Sequence, residues 1–211
     1  MSRRLLSRIL VVLCLVMAPS YVNADASTFL RPFLSQEAFW SLSQLRENTE
    51  LYDCGLEQDD QAFCSDEVRY YKTPVVVTLL VDPDTHAFDK RASDKRVTKA
   101  KLSADFSPIH YTDLQLNLRK DGFHIVEVYK AGRRFLVAEE IRFSDLQAAD
   151  KALIEFMNQG TIDDPIEVRW QLAHKARTKN NEVEAVFHSH NESIEITFYA
   201  SKASNAAEIH E

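Results

Sequence analysis

The chain has 211 residues, 45% of them hydrophobic, with 25 lysines and arginines against 32 aspartates and glutamates and a formal charge of −7. That length fits one domain or two small ones, and the acidic balance excludes a global attraction for nucleic acid or anionic lipid. Only Gly55, Gly122, Gly132 and Gly160 occur, each alone, which excludes a glycine-rich phosphate loop and a G-x-S-x-G nucleophile elbow.

Residues 1–24 carry Arg3, Arg4 and Arg8, an apolar run from Ile9 to Ala18, and a polar exit with the small residues Val22 and Ala24. This pattern reads as a secretory signal cut near Ala24, which makes Asp25 the mature N-terminus and a bacterial periplasm, or the cell exterior, the expected location. The apolar run falls short of the roughly 20 helical residues that span a hydrocarbon core, so no transmembrane segment is expected in the mature chain. Cys14 leaves with the leader, and Leu13 before it argues against lipid attachment. Loss of the three leader arginines takes the formal charge from −7 to −10. Cys54 and Cys64 then remain, and in an oxidising compartment they are expected to form a disulfide; their spacing is far from the Cys-x-x-Cys of exchange catalysts.

Phe29, Leu30, Phe33 and Leu34 around Pro32 make an apolar segment expected to pack. Ser35 reads as an N-cap, and Leu34, Ala38, Leu42 and Leu45 recur at helical spacing, predicting a helix from Gln36 to about Thr49 widened by Phe39 and Trp40. Glu57, Asp59, Asp60, Asp66 and Glu67 surround the cysteine pair without the ordered spacing of a calcium loop, and read as a solvated acidic loop. Strands are predicted over Val68–Tyr71 and Val75–Val81, the second apolar on both faces and therefore central in its sheet. Asp82-Pro-Asp-Thr85 is a turn signal. From His86 to Ser107 the chain turns basic, with Lys90, Arg91, Lys95, Arg96, Lys99 and Lys101, and its few large apolar residues make it a long loop or a solvated helix. Any sub-boundary within a domain over 25–201 falls there.

Beyond Pro108, Leu114, Leu116 and Leu118 alternate with polar residues, Lys120-Asp-Gly122 reads as a hairpin turn, and Phe123, Ile125 and Tyr129 continue on a return strand. A second turn at Ala131-Gly132 leads to a strand over Arg134–Ile141, completing a three-strand meander. Ser144 is expected to cap a helix over 145–159, with Gln147 in a capping box and Gly160 as the stop. Ile166, Val168, Trp170 and Leu172 alternate, Lys179-Asn-Asn181 turns, and Glu182–His188 pairs with Ser193–Ala200; the polar residues 202–211 read as a flexible tail. The fold class is therefore α+β: a mostly antiparallel sheet, meander plus C-terminal hairpins, with two main helices on one face and one disulfide.

Three functional readings follow. The first is an exported, non-catalytic binding or accessory protein, with an envelope or secreted protein as partner in envelope assembly and sheet edges free for a partner strand. The alternative is a metal-dependent enzyme or metal carrier binding zinc or copper at His188-Ser-His190, two imidazoles on one strand face, with His174 as a third ligand. A hairpin turning at 179–181 sets His174 opposite about Val186, away from the pair, with Glu184 and Glu192 as carboxylate candidates. The third is an anion-binding module using Lys95, Arg96, Lys99 and Lys101. Asn191-Glu-Ser193 matches a glycosylation acceptor, and Trp40, Tyr70, Tyr71, Tyr111, Tyr129, Trp170 and Tyr199 are the aromatics available to line a pocket.

Overall fold

A computed structural model describes residues 25–35, 38–55, 61–81, 95–162, 164–172 and 183–200. The predicted leader, most of the acidic stretch, residues 82–94, His174, the predicted turn at 179–181 and the predicted tail from 202 lie outside the described residues. Nine strands form one antiparallel sheet in the order β1-β2-β3-β4-β9-β8-β7-β5-β6. They are β1 Leu51–Asp53, β2 Ala62–Tyr70, β3 Thr73–Val81, β4 Val97–Asp105, β5 Phe123–Lys130, β6 Arg133–Leu136, β7 Ile166–Leu172, β8 Val183–His190 and β9 Ser193–Ala200. Among the described residues five helices accompany them: α1 Ala26–Leu34, α2 Leu42–Glu47, α3 Pro108–Lys120, α4 Val137–Phe143 and α5 Leu146–Met157. The fold is thus α+β with an antiparallel sheet, as the strand and helix patterns predict.

Register explains the core. One row across the sheet reads Val77, Leu102, Ile196, Phe187, Val168 and Val128, and the next reads Leu79, Ala100, Phe198, Ala185, Trp170 and Ile125. The alanines at 100 and 185 flank the Phe198 ring, so small and large side chains alternate and fill the layer. The helices cover this face: Phe33 of α1 meets Phe198 at 6.2 Å, Tyr111 of α3 meets Phe187 edge-on at 5.5 Å, and Phe156 of α5 meets Phe135 at 5.4 Å between ring centroids. The opposite face is polar, with rows such as Ser103, Glu195, His188, Glu167 and Tyr129.

Several elements differ from expectation, each for a local reason. Of the helix predicted over Gln36–Thr49 only Leu42–Glu47 is helical among the described residues, and a separate helix, α1, precedes it. Asp25 caps α1 by accepting from Ser27 N–H, and Ser35 ends that helix instead of starting one, its Oγ donating to the Arg31 carbonyl at 2.8 Å. A reciprocal capping box between Ser41 and Gln44 starts α2. The segment read as loop or solvated helix holds β4, which pairs with both β3 and β9. A bulge against Leu80 and Val81 breaks its alternation, after which Ala100, Leu102 and Ala104 face the core while Lys99, Lys101 and Ser103 face outward.

The stretch predicted as the first meander strand is α3. Ser107 accepts from His110 N–H at 3.0 Å and Pro108 takes the first turn, where its missing N–H costs nothing. Leu114 and Leu118 are one helical turn apart and buried, whereas Leu116 is 47% exposed. Lys120-Asp-Gly122 therefore ends a helix and is not a hairpin. The strand predicted over Arg134–Ile141 stops at Leu136 and becomes α4. Asp145, one residue after the predicted Ser144, caps α5 by accepting from Ala148 N–H at 2.8 Å.

Cys54 and Cys64 are bonded, with Cα atoms 5.8 Å apart, tying the end of β1 to β2. At the turn joining β2 and β3, Tyr71 is left-handed at φ 58°, and the hydroxyls of Tyr70 and Tyr71 both donate to the Asp121 carboxylate at the end of α3. That lock fixes α3 over the sheet. Among the described residues no helix is long and apolar enough to cross a membrane.

Candidate functional site

One side of α3 carries Tyr111, at the margin of the core, with Gln115, Leu116 and Arg119, and α5 presents Ile154 and Met157. Between them lies a cleft of about 420 Å³, closed at one side by Gly160–Ile162 and reached by Lys130 from the end of β5. Its apolar wall is open: Leu116 is 47%, Ile154 59% and Ile162 40% exposed. Isolated exposed aliphatics are ordinary, but here they share one concavity.

Lys130 is 4% exposed, and its Nζ donates to the carbonyls of Met157 at 2.9 Å and Thr161 at 3.1 Å, serving the end of α5 where helix carbonyls lack internal partners. Gly160 has φ +76°, and a Cβ there would lie 2.1 Å from Asp164 Oδ2, so glycine is required on both counts. The Asp164 carboxylate accepts from Thr161 N–H at 2.7 Å, which holds its carboxyl below the ordinary range, helped by the Lys130 charge. Arg119 lays its guanidinium 5.7 Å from the centroid of the Trp170 ring. Burial among Phe106 and Phe187 pushes the Tyr111 phenol up. No described residue lining the cleft is an aspartate, glutamate, histidine or cysteine, and the one nearby threonine hydroxyl on α3, Thr112, donates to the Pro108 carbonyl. The cleft is equipped to hold an apolar and anionic group.

The residues singled out from sequence fall elsewhere. His188 and His190 share the polar face of β8 with rings 5.8 Å apart and edge-on, and His190 Nε2 lies 3.2 Å from Ser193 Oγ. His174 is outside the described residues. Arg169, not His174, stands opposite Val186, because the β7–β8 register is offset from a turn at 179–181. The cross-strand neighbours of His188 are Glu167 and Glu195, which the sequence reading missed, whereas Glu184 and Glu192 lie elsewhere along the hairpin. Among the described residues no three potential ligands gather as a metal group.

Of the basic set, Lys101 pairs with Glu195 at 3.0 Å, Lys99 lies 5.6 Å from the Tyr199 ring centroid, Arg96 bridges to Ser41, and the Lys95 carbonyl accepts from Leu42 N–H. Lys101 is therefore a partner within the sheet face and not a free anion receptor. The aromatics are dispersed too: Trp170 and Tyr70 are buried, Tyr111 lines the cleft, and Tyr129 and Tyr199 lie on the polar face. Asn191 sits exposed in the β8–β9 turn.

The polar face has one dense charge cluster. Glu127, 6% exposed, meets Arg134 Nε at its Oε1 and Arg169 Nε at 3.7 Å from its Oε2, and Arg169 also reaches Glu167 at 3.1 Å. Burial would raise the Glu127 carboxyl, but the arginine contacts prevail and hold it below its ordinary range. No protein family, curated protein or solved structure matches this chain significantly.

Proposed function

We propose that this is an exported, non-catalytic binding protein, an accessory of the bacterial envelope, and that the cleft between α3 and α5 is where it binds. The observation that carries the reading is the open aliphatic wall of that cleft, Leu116, Ile154 and Ile162, beside two cations and with no carboxylate, imidazole or thiol in its described lining. Export is supported by the basic, apolar and small-residue pattern of 1–24 and is compatible with the Cys54–Cys64 bridge. Strand addition is the weaker route for a partner, since the edge strands β1 and β6 are only 3 and 4 residues long.

Two measurements test this. N-terminal sequencing of protein from the periplasmic fraction of the native host should begin at Asp25, and recovery of the intact leader in the cytoplasm sinks the export half. A photo-reactive residue placed at Ile154 should capture one saturable species that the same residue at Thr197, on the polar face, does not. Equal labelling from both positions, or turnover of a substrate by the purified protein, refutes the binding half.

A further inference from the structure

We propose that the α3/α5 cleft takes a small monocarboxylate bearing an apolar chain, an inference that rests on the binding reading above. Leu116, Ile154, Met157 and Ile162 supply an aliphatic wall, and removing that surface from water on binding a chain is favourable at about 25 cal/mol per Å². The head-group preference comes from the two cations. Lys130 is 4% exposed, and an ammonium has three donors; two go to the Met157 and Thr161 carbonyls, and the third has no acceptor among the described residues. A buried donor left without an acceptor is costly, which favours a ligand oxygen beside it. Arg119 has no carboxylate within ion-pair distance among the described residues, and its guanidinium lies over the Trp170 ring. Asp164, the acid nearest Lys130, is already held by Thr161 N–H, so it offsets Lys130 and leaves Arg119 as the unbalanced charge.

A planar guanidinium matches a carboxylate in a two-point geometry that an ammonium ligand or an alcohol cannot copy. In a chain of formal charge −7, a lining whose unbalanced charge is the Arg119 guanidinium is a local reversal that selects anions. At about 420 Å³ the cleft is near the lower end of the roughly 300–1000 Å³ of ligand sites, which suits one medium-length chain and excludes a two-chain lipid.

Titration calorimetry of the purified exported protein with decanoate, decanol, decyltrimethylammonium and acetate, each chain-bearing probe kept below micelle formation, is the test. Decanoate should bind one to one, at least tenfold more tightly than decanol, and acetate should give no heat. Arg119→Gln, at an exposed position that leaves the fold intact, should lower decanoate affinity about tenfold while leaving decanol unchanged, and Ile154→Glu should abolish both. Equal affinity for decanoate and decanol, or preference for decyltrimethylammonium, overturns the carboxylate inference while the cleft remains the binding site. If no chain-bearing probe binds although the photo-reactive residue at Ile154 still captures its species, the small-carboxylate inference alone fails; if that capture fails too, the binding reading falls with it.

Discussion

Replacing Asp121 by alanine should destabilise the protein, and the size can be worked from its two partners. Tyr70 is 1% exposed and its hydroxyl donates to Asp121, so the substitution removes a hydrogen bond to a charged group and leaves a buried donor unsatisfied, about 1.5–3 kcal/mol. Tyr71 is 47% exposed and water replaces its lost acceptor, adding about 0.5 kcal/mol. The sum, about 2–3.5 kcal/mol, corresponds to a fall in Tm of about 4–14 °C for a domain of this size. Urea denaturation followed by circular dichroism measures it, with an unchanged slope showing that the loss is one of stability. Adding Tyr70→Phe to Asp121→Ala should restore about 1 kcal/mol by removing the orphaned hydroxyl.

The same lock sets an alkaline limit. Burial, with the nearby Asp121 charge and bond, pushes the Tyr70 phenol up, and burial and the Asp121 bond push Tyr71 up to about 12. A free tyrosine titrates near 10. The folded state therefore holds these protons more tightly, and its stabilisation is complete below about pH 10 and lost as pH rises toward 12. Asp121→Ala should flatten that alkaline limb. A loss under about 1 kcal/mol at neutral pH, or no rescue by Tyr70→Phe, refutes the reasoning.

Three further outcomes are expected. Replacing Cys54 and Cys64 by serine should cost about 3 kcal/mol, the chain-entropy value for so short a loop, read as a lower urea midpoint; reducing agent should do the same to the native protein and nothing to the variant. Gly160→Ala should cost about 1–3 kcal/mol from its positive φ and the collision with Asp164, and should weaken ligand capture at Ile154 because the same loop closes the cleft; calorimetry that finds it neutral contradicts the geometry. Glu127→Gln should lower stability at neutral pH by about 1 kcal/mol. Because the folded Glu127 carboxyl lies below its unfolded value, its contribution is present above about pH 4.3 and lost as pH falls through the folded value, so the two urea midpoints should converge in acid.

The C-terminal strands were legible because β7, β8 and β9 alternate cleanly and each buries one face. The disulfide was legible from Cys54 and Cys64, the two cysteines beyond the apolar N-terminal run. In α3 the trouble was arithmetic: Leu114 and Leu118 satisfy both a period of two and a spacing of four, and Leu116 alone argued for strand. Ser107-Pro108 was the signal that could have decided it, a capping serine before a proline at the first helical position. β4 was hidden because two of its inward residues are alanines and the bulge breaks its phase. The cleft depended on those misread elements. Its wall comes from α3, β5 and α5, so reading α3 as a strand dispersed Arg119 and Leu116 from residues that sequence distance already separated. The histidines attracted notice as a local pattern, whereas the glutamates beside His188 become its neighbours only through strand register.

The strand order has a kinetic consequence. β9 lies between β4 and β8, pairing Lys99 with Tyr199 on one side and Val183 with Ala200 on the other, so the last described strand is the middle of the sheet. Until it inserts, β1–β4 and the β5–β8 group are separate half-sheets, each ending in an unpaired inner strand that offers a template for aggregation. Loop closure between β4 and β9 must precede any gain from their pairing, which makes that pairing slower to form than the hairpins beside it. Folding should thus be nearly all-or-none in the C-terminal hairpin. A chain shortened before Ser193 should collect as insoluble material, while changes confined to β1 should slow folding little.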